Sequence, residues 1–295
     1  VLLGGTVFLI LGGTLTELGC LLLNLFFFDA SFKLAIVLHE AGHLFFGKLM
    51  GGSPRWMVLG NGHEVARNKV AGIKVILNSR LTSGTAYATF TNLKWIRWKL
   101  LIFYSGGFIV NFLVGIPMLL AIGAWLPDFW QVQTVYMFGL ANTLIGLISL
   151  FPYYGTARGL RVASDGLTIL KTPFIKRHEL NDMIYAPDLL DAYDHYEKKE
   201  YQEALKIYDY VKPKISDSRS INLNVGLMYL KLGKPEVALE ILTDALPGVE
   251  QRNSKDFSFL IYNAIAWTNL VLENLDKAHK HAKQAMELQL SLIHI

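Results

Sequence analysis

The run Phe32-Lys-Leu-Ala-Ile-Val-Leu-His39-Glu40-Ala41-Gly42-His43-Leu-Phe-Phe-Gly-Lys-Leu-Met50 decides the reading of this chain. It is apolar almost throughout, yet three ionisable residues fall within five positions of it. Residues four apart on a helix project from one face, so His39 and His43 can reach a single ion while Glu40 lies beside it. Ionisable groups at membrane depth are costly to bury, and they are functional candidates by default.

Working outward, four segments meet or approach the roughly 20 apolar residues that cross a bilayer. They are about 1–28, 32–50, 100–126 and 133–152. The first carries Glu17 alone, and the last two carry no charge. Segment one runs to Phe28 without an evident cleavage site, which speaks for a retained span rather than a removed signal peptide. Val1 falls inside that apolar stretch, as a truncated or processed end would. With 52% hydrophobic and 18% charged residues, the 295-residue chain is too apolar for an ordinary soluble protein.

Charge gives an orientation. Between segments two and three lie Arg55, Arg67, Lys69, Lys74, Arg80, Lys94, Arg97 and Lys99 against the single acid Glu64, so the positive-inside rule makes that stretch cytoplasmic. The opposite loops hold only Asp29 with Lys33, and Asp128, and read as external. Arg158, Arg161, Lys171, Lys176 and Arg177 return the chain to the cytoplasm. The net charge of +4 is scattered, which gives nucleic-acid binding no support. Cys20 is the single cysteine, so disulfides and thiolate metal sites are excluded and any metal must use His and carboxylate.

Residues 55–90 alternate apolar and polar over short runs broken by Gly60, Gly62, Gly72 and Gly84, which predicts a small sheet at the cytoplasmic surface. From about 186 onward the chain is charged and helical. Gly226, Tyr229, Gly233, Ala238, Leu242 and Ala245 follow the spacing of a tetratricopeptide repeat, and Ala204 precedes Ala238 by the repeat period. Ala192 and Tyr208 take the places of Gly226 and Leu242 in an upstream copy. A third copy puts Ala266, Ala278, Ala282 and Ala285 at matching offsets, with six extra residues expected in the loop near Gln251-Arg252-Asn253.

The expected fold is therefore mainly α. About four membrane helices and a small cytoplasmic β element (1–170) precede a linker (171–185) and an α-helical repeat solenoid (186–295).

Zinc is the expected occupant of the His39/His43 pair, one ion per chain. Two imidazoles and one carboxylate leave a fourth position where a bound water loses its proton easily, and Glu40 is placed to take that proton. The pair His63-Glu64 lacks a second His four positions on and reads as a loop pair.

The His39-Glu-Ala-Gly-His43 run, a Gly-rich cytoplasmic sheet, Gly106-Gly107 with Asn111, and Ser164-Asp165-Gly166 together resemble the site-2 protease family of intramembrane zinc metallopeptidases, over roughly residues 1–170. The resemblance implies Asp165 as third zinc ligand, Glu40 as general base, and hydrolysis of a peptide bond in or near the membrane. The family commonly has Asn-x-x-Pro shortly before Asp-Gly, whereas this chain has Ser149-Leu-Phe-Pro152 and a longer stretch to Asp165. Asn142, Asn111 and Ser149 are all candidates for the substrate or oxyanion role, and each is equally readable as a helix-packing polar residue.

The expected partners are a membrane protein or peptide as substrate, a protein bound by the repeats, and the lipid bilayer. The expected location is a bacterial cell membrane, with multiple passes and the repeats in the cytoplasm. An edge strand from residues 55–90 would pair with the unwound substrate, a role that proline substitutions within 70–77 would test. The repeats would recruit substrate or a regulator. The first rival is a non-catalytic membrane scaffold presenting the repeats, which leaves Glu40 without a purpose. The second is a metal transporter, which needs further ionisable groups along a pathway where only Glu17 is available.

Overall fold

The computed structural model describes all residues except 2–3, 8–13, 123–130, 158–159, 252–254 and 294–295. The chain is mainly helical and divides into two compact units, Val1–Ile175 and Lys176–Ile295.

In the first unit, helix α1 (Thr14–Leu49) is continuous over 36 residues. The segments expected at about 1–28 and 32–50 are therefore not separate spans, and Asp29 to Lys33 is helix rather than an external loop. The reason is local: the stretch holds no Gly or Pro, and Asp29 and Lys33 pair one turn apart on the helix surface. Helices α2 (Ile96–Ile122) and α3 (Thr134–Leu150) pack against α1 and against each other. Among the described residues, two helices rather than about four are long and apolar enough to cross a membrane, Thr16–Leu49 and Ile96–Ile122, with the shorter apolar Thr134–Leu150 beside them. Asp128 and Arg158, used above for orientation, lie outside the described residues.

Close helix contact depends on small residues. A Cβ on Gly42 would meet the Gly106 carbonyl oxygen at 2.5 Å, and one on Gly106 would meet that of Gly42 at 2.6 Å, so α1 and α2 cross backbone to backbone there. That crossing carries both histidines against α2. At the far end, Asn24 Nδ2 donates to the Gln131 carbonyl (2.7 Å) and Asn24 Oδ1 accepts from the Gln133 N–H (2.8 Å), tying the start of α3 to α1.

These helices carry apolar residues on both faces, and a set of polar side chains is gathered on the inner one. Asn24, His39, Glu40, His43, Asn111 and Asn142 are buried, whereas Leu25, Leu34, Phe45, Leu49, Leu113 and Leu120 are exposed. Water-soluble helices do the reverse.

Strands β1 (Ser53–Val70) and β2 (Ile73–Thr89) form an antiparallel pair joined at Ala71-Gly72, both with positive φ, the backbone that a two-residue hairpin turn needs. Both strands bend. Trp56–Leu59 accordingly has partners on two sides, Tyr87–Gly84 on one and Lys74–Leu77 on the other. Val75 pairs with both Met57 and Asn68, so residues 74–77 are interior to the sheet, and 84–89 and 66–70 are its two outer rows.

A second hairpin, β3 (Tyr154–Ala157) and β4 (Leu160–Ala163), occupies the stretch between Ser149 and Asp165. Its base is closed where the Ser164 N–H donates to the Tyr153 carbonyl (2.9 Å) and the Tyr153 N–H donates to Ser164 Oγ (3.1 Å). The long insertion therefore loops out and back. Helix α4 (Asp165–Lys171) starts on Ser164, whose Oγ accepts from the Leu167 N–H, and Gly166 packs so tightly on the Leu150 carbonyl that no Cβ fits.

In the second unit the expected linker is helical: a 3₁₀ turn (Met183–Tyr185) follows α5 (Arg177–Asp182), and Asp182 accepts from the Ser216 N–H at 2.9 Å. Then come α6 (Ala186–Glu197), α7 (Tyr201–Val211), α8 (Arg219–Lys231), α9 (Pro235–Gln251), α10 (Lys255–Val271) and α11 (Leu275–Ile293).

Within each successive helix pair one turn recurs, with a positive-φ residue at Lys199, Gly233 and Glu273. The following N–H reaches back to the carbonyl of His195, Tyr229 and Asn269 respectively. The spacings, 233 − 199 = 34 and 273 − 233 = 40, match the period read from the sequence and its six-residue excess. That excess lies largely in helix, because α9 runs to Gln251 whereas α7 ends at Val211, the counterpart of Ala245. The loop at 252–254 is outside the described residues. Ala192, Ala204, Tyr208, Gly226, Ala238, Leu242, Ala245, Ala266, Ala278 and Ala285 are buried as expected of contact positions, and Ala282 is exposed.

Candidate metal centre

Helix α1 presents His39 and His43 on the face that meets α2, and α4 brings Asp165 to the same point. His39 Nε2 lies 2.9 Å from Asp165 Oδ2, His43 Nε2 lies 3.3 Å from it, and the two Nε2 atoms are 3.1 Å apart. Metal–ligand bonds of about 2.0–2.2 Å set tetrahedral donors roughly 3.3–3.6 Å from one another, so the observed triangle is a few tenths of an ångström tighter than a zinc site and needs only a small opening to hold the ion. Among the described residues this is the His/Cys/Asp/Glu group that could hold a metal ion.

The other ring nitrogens explain why the triangle calls for a cation. His43 Nδ1 faces the Phe103 carbonyl oxygen at 2.8 Å, and His39 Nδ1 faces Asn111 Oδ1 at 2.7 Å. Both oxygens only accept, so each Nδ1 carries the proton and each neutral ring turns an Nε2 lone pair toward Asp165. Three electron-rich atoms then converge, and positive charge among them balances the arrangement. Burial would push the Asp165 carboxyl up, but positive charge on the His39 and His43 side, carried by protons on the rings where no ion takes their place, outweighs burial and holds it well below the usual carboxylate range. Asp165 is thus the carboxylate that a cation needs.

Glu40 is buried one residue from His39, with the backbone of Ala86 in hydrogen-bonding reach of its carboxylate. Gly84 packs directly on that carboxylate, leaving no room for a Cβ, and Gly107 packs on both imidazoles. The 84–89 row of the sheet therefore lies against Glu40.

The structure brings together His39, Glu40, His43, Asp165, Asn111 and Asn142. Asn111 and Asn142 are fully buried in hydrogen bonds among helices, and Ser149 donates within its own helix to the Gly146 carbonyl (3.1 Å). His63 lies in β1, and its neighbour Glu64 pairs with Arg67. The Phe103 carbonyl and the roles of Gly84, Ala86 and Gly107 escaped the sequence reading. A backbone acceptor has no side-chain signature, and a glycine reveals only that space is short, not what fills it. No known protein-family model matches the chain, and no curated protein matches it.

Proposed function

We propose that the chain is a membrane zinc metalloprotease of the site-2 type, with His39, His43 and Asp165 as zinc ligands and Glu40 as general base. The observation that carries this reading is the triangle of donors at 2.9–3.3 Å with a buried carboxylate, Glu40, beside it. Bound zinc would polarise the scissile carbonyl and acidify a water. Glu40 would serve as the proton acceptor beside such a water and as the donor to the leaving amine, and its burial would keep bulk solvent out of the exchange. The exposed apolar residues of α1, α2 and α3, with polar side chains gathered inside, support a bilayer setting with several passes. The basic stretch from Arg55 to Lys99 supports a cytoplasmic position for the sheet and for the repeats that follow.

The substrate must be extended to be cut, and within 55–90 the row 84–89 beside Glu40 is the edge on which it would lie, whereas 74–77 is already paired on both sides. The three helix pairs of the second unit form a tetratricopeptide-like array that recruits substrate or a regulator.

Metal analysis of the purified protein tests the ligand set. One zinc per chain is expected, with affinity lowered at least tenfold in Asp165→Ala, because a carboxylate ligand is lost. Unchanged zinc affinity in Asp165→Ala would remove Asp165 from the centre.

A further inference from the structure

Behind His39, three helices donate hydrogen bonds in one direction. Asn142 Nδ2 of α3 donates to the Phe138 carbonyl one turn back (2.9 Å), which leaves its Oδ1 to accept. Asn111 Nδ2 of α2 donates to that Oδ1 (2.9 Å) and to the Ala35 carbonyl of α1 (3.0 Å). Both protons of the Asn111 amide are then committed, so its Oδ1 faces His39 Nδ1 at 2.7 Å. Flipping the Asn111 amide would set its oxygen against two other acceptors and its NH₂ against a ring N–H. With both asparagines wholly shielded from solvent, each lost bond leaves a buried polar atom unpaired.

We propose that Asn111 and Asn142 are positioning residues for the metal and do not contact substrate. Asn142 locks the Asn111 amide, and Asn111 holds His39 in the Nδ1–H form with Nε2 aimed at the ion. This rests on the metal-centre reading above. The arrangement is asymmetric, because His43 is oriented by the Phe103 backbone carbonyl, whereas His39 depends on a side chain. The part of Asn111 that matters to the metal is its acceptor oxygen. A buried aspartic acid facing two acceptors keeps its proton, so it supplies that oxygen together with one O–H donor toward the Ala35 carbonyl or Asn142 Oδ1, whereas a leucine supplies neither.

The test is zinc and cobalt affinity of the full-length protein in detergent, by chelator competition, together with the visible spectrum of the cobalt form, which reports ligand geometry. Asn111→Leu is expected to bind about 10–100-fold more weakly with an altered cobalt band, the usual effect of losing a ligand's orienting partner. Asn142→Leu is expected to lose about three- to tenfold, and Asn111→Asp to stay within about threefold of wild type. If Asn111→Leu does not fold, the contrast between Asn142→Leu and Asn111→Asp carries the same decision.

Wild-type affinity and spectrum in Asn111→Leu would overturn the inference, as would equal weakening in Asn111→Asp and Asn142→Leu. In either case a metal-loaded wild type leaves the metal centre standing. A wild-type protein that binds no divalent metal would overturn the centre and the inference together.

Discussion

Gly107 stands so close to the His39 and His43 imidazoles that a Cβ on it would lie 2.5 Å from His39 Nε2 and 2.6 Å from His43 Nε2. The residue is glycine because the rings occupy the space a side chain would need. Its neighbour Gly106 serves the backbone crossing with Gly42, so the pair combines two contacts, one with the helix and one with the site.

Gly107→Ala is therefore expected to displace one or both rings and to weaken zinc binding by at least about tenfold, while α-helical content is kept. Chelator competition beside far-UV circular dichroism measures both. Wild-type affinity in this variant would mean that the rings sit elsewhere.

The hairpin between Pro152 and Ser164 predicts a tolerance. Tyr153 and Ser164 already pair at its base, so replacing Tyr154–Ala163 by a two-residue Asn-Gly turn should still deliver Asp165 to the histidines. Zinc affinity within about threefold of wild type is expected. Loss of the metal would show that the hairpin itself positions α4. In the full protein, Ser164→Ala is expected to cost about 0.5–2 kcal/mol, since the helix cap and the base of the hairpin share one hydroxyl.

The 84–89 row of the sheet gives a third prediction. Ala86→Pro removes the backbone N–H that reaches the Glu40 carboxylate and breaks the edge beside it, and cleavage is expected to fall at least about tenfold with zinc retained, by loss of Glu40 orientation together with substrate alignment. Val75→Pro, in the interior, is expected instead to lower the melting temperature through a lost ladder bond. Intact cleavage in Ala86→Pro would argue against substrate pairing on this edge.

How much of this was legible in the sequence follows from the range of each interaction. The His39/His43 face is set by helix geometry over one turn, and the repeat period by small residues whose burial recurs with the Lys199, Gly233 and Glu273 turns. Both are local signals. Hydropathy divided α1 into two spans, because a charge pair such as Asp29 and Lys33 counts as two polar residues when its mutual satisfaction on the helix is invisible. The burial of Asn111 and Asn142 was equally hidden, since a candidate for substrate contact and a link between helices have the same letter. Asp165 entered through a family resemblance alone, and the hairpin that carries it back to α3 explains how a distant position reaches the histidines. The double pairing of 74–77, with 56–59 on one side and 66–69 on the other, depends on strand bends that alternation does not encode.

The central claim is that Glu40 is a base working beside a zinc that it does not ligate. Zinc content and cleavage of a library of single-span membrane peptides, followed by mass spectrometry for wild type and Glu40→Gln in parallel, measure it directly. The account predicts one zinc in each protein, cleavage by the wild type, and a loss of at least about 100-fold in Glu40→Gln, the contribution of a positioned proton-transfer group. Cleavage at the wild-type rate by Glu40→Gln would contradict it.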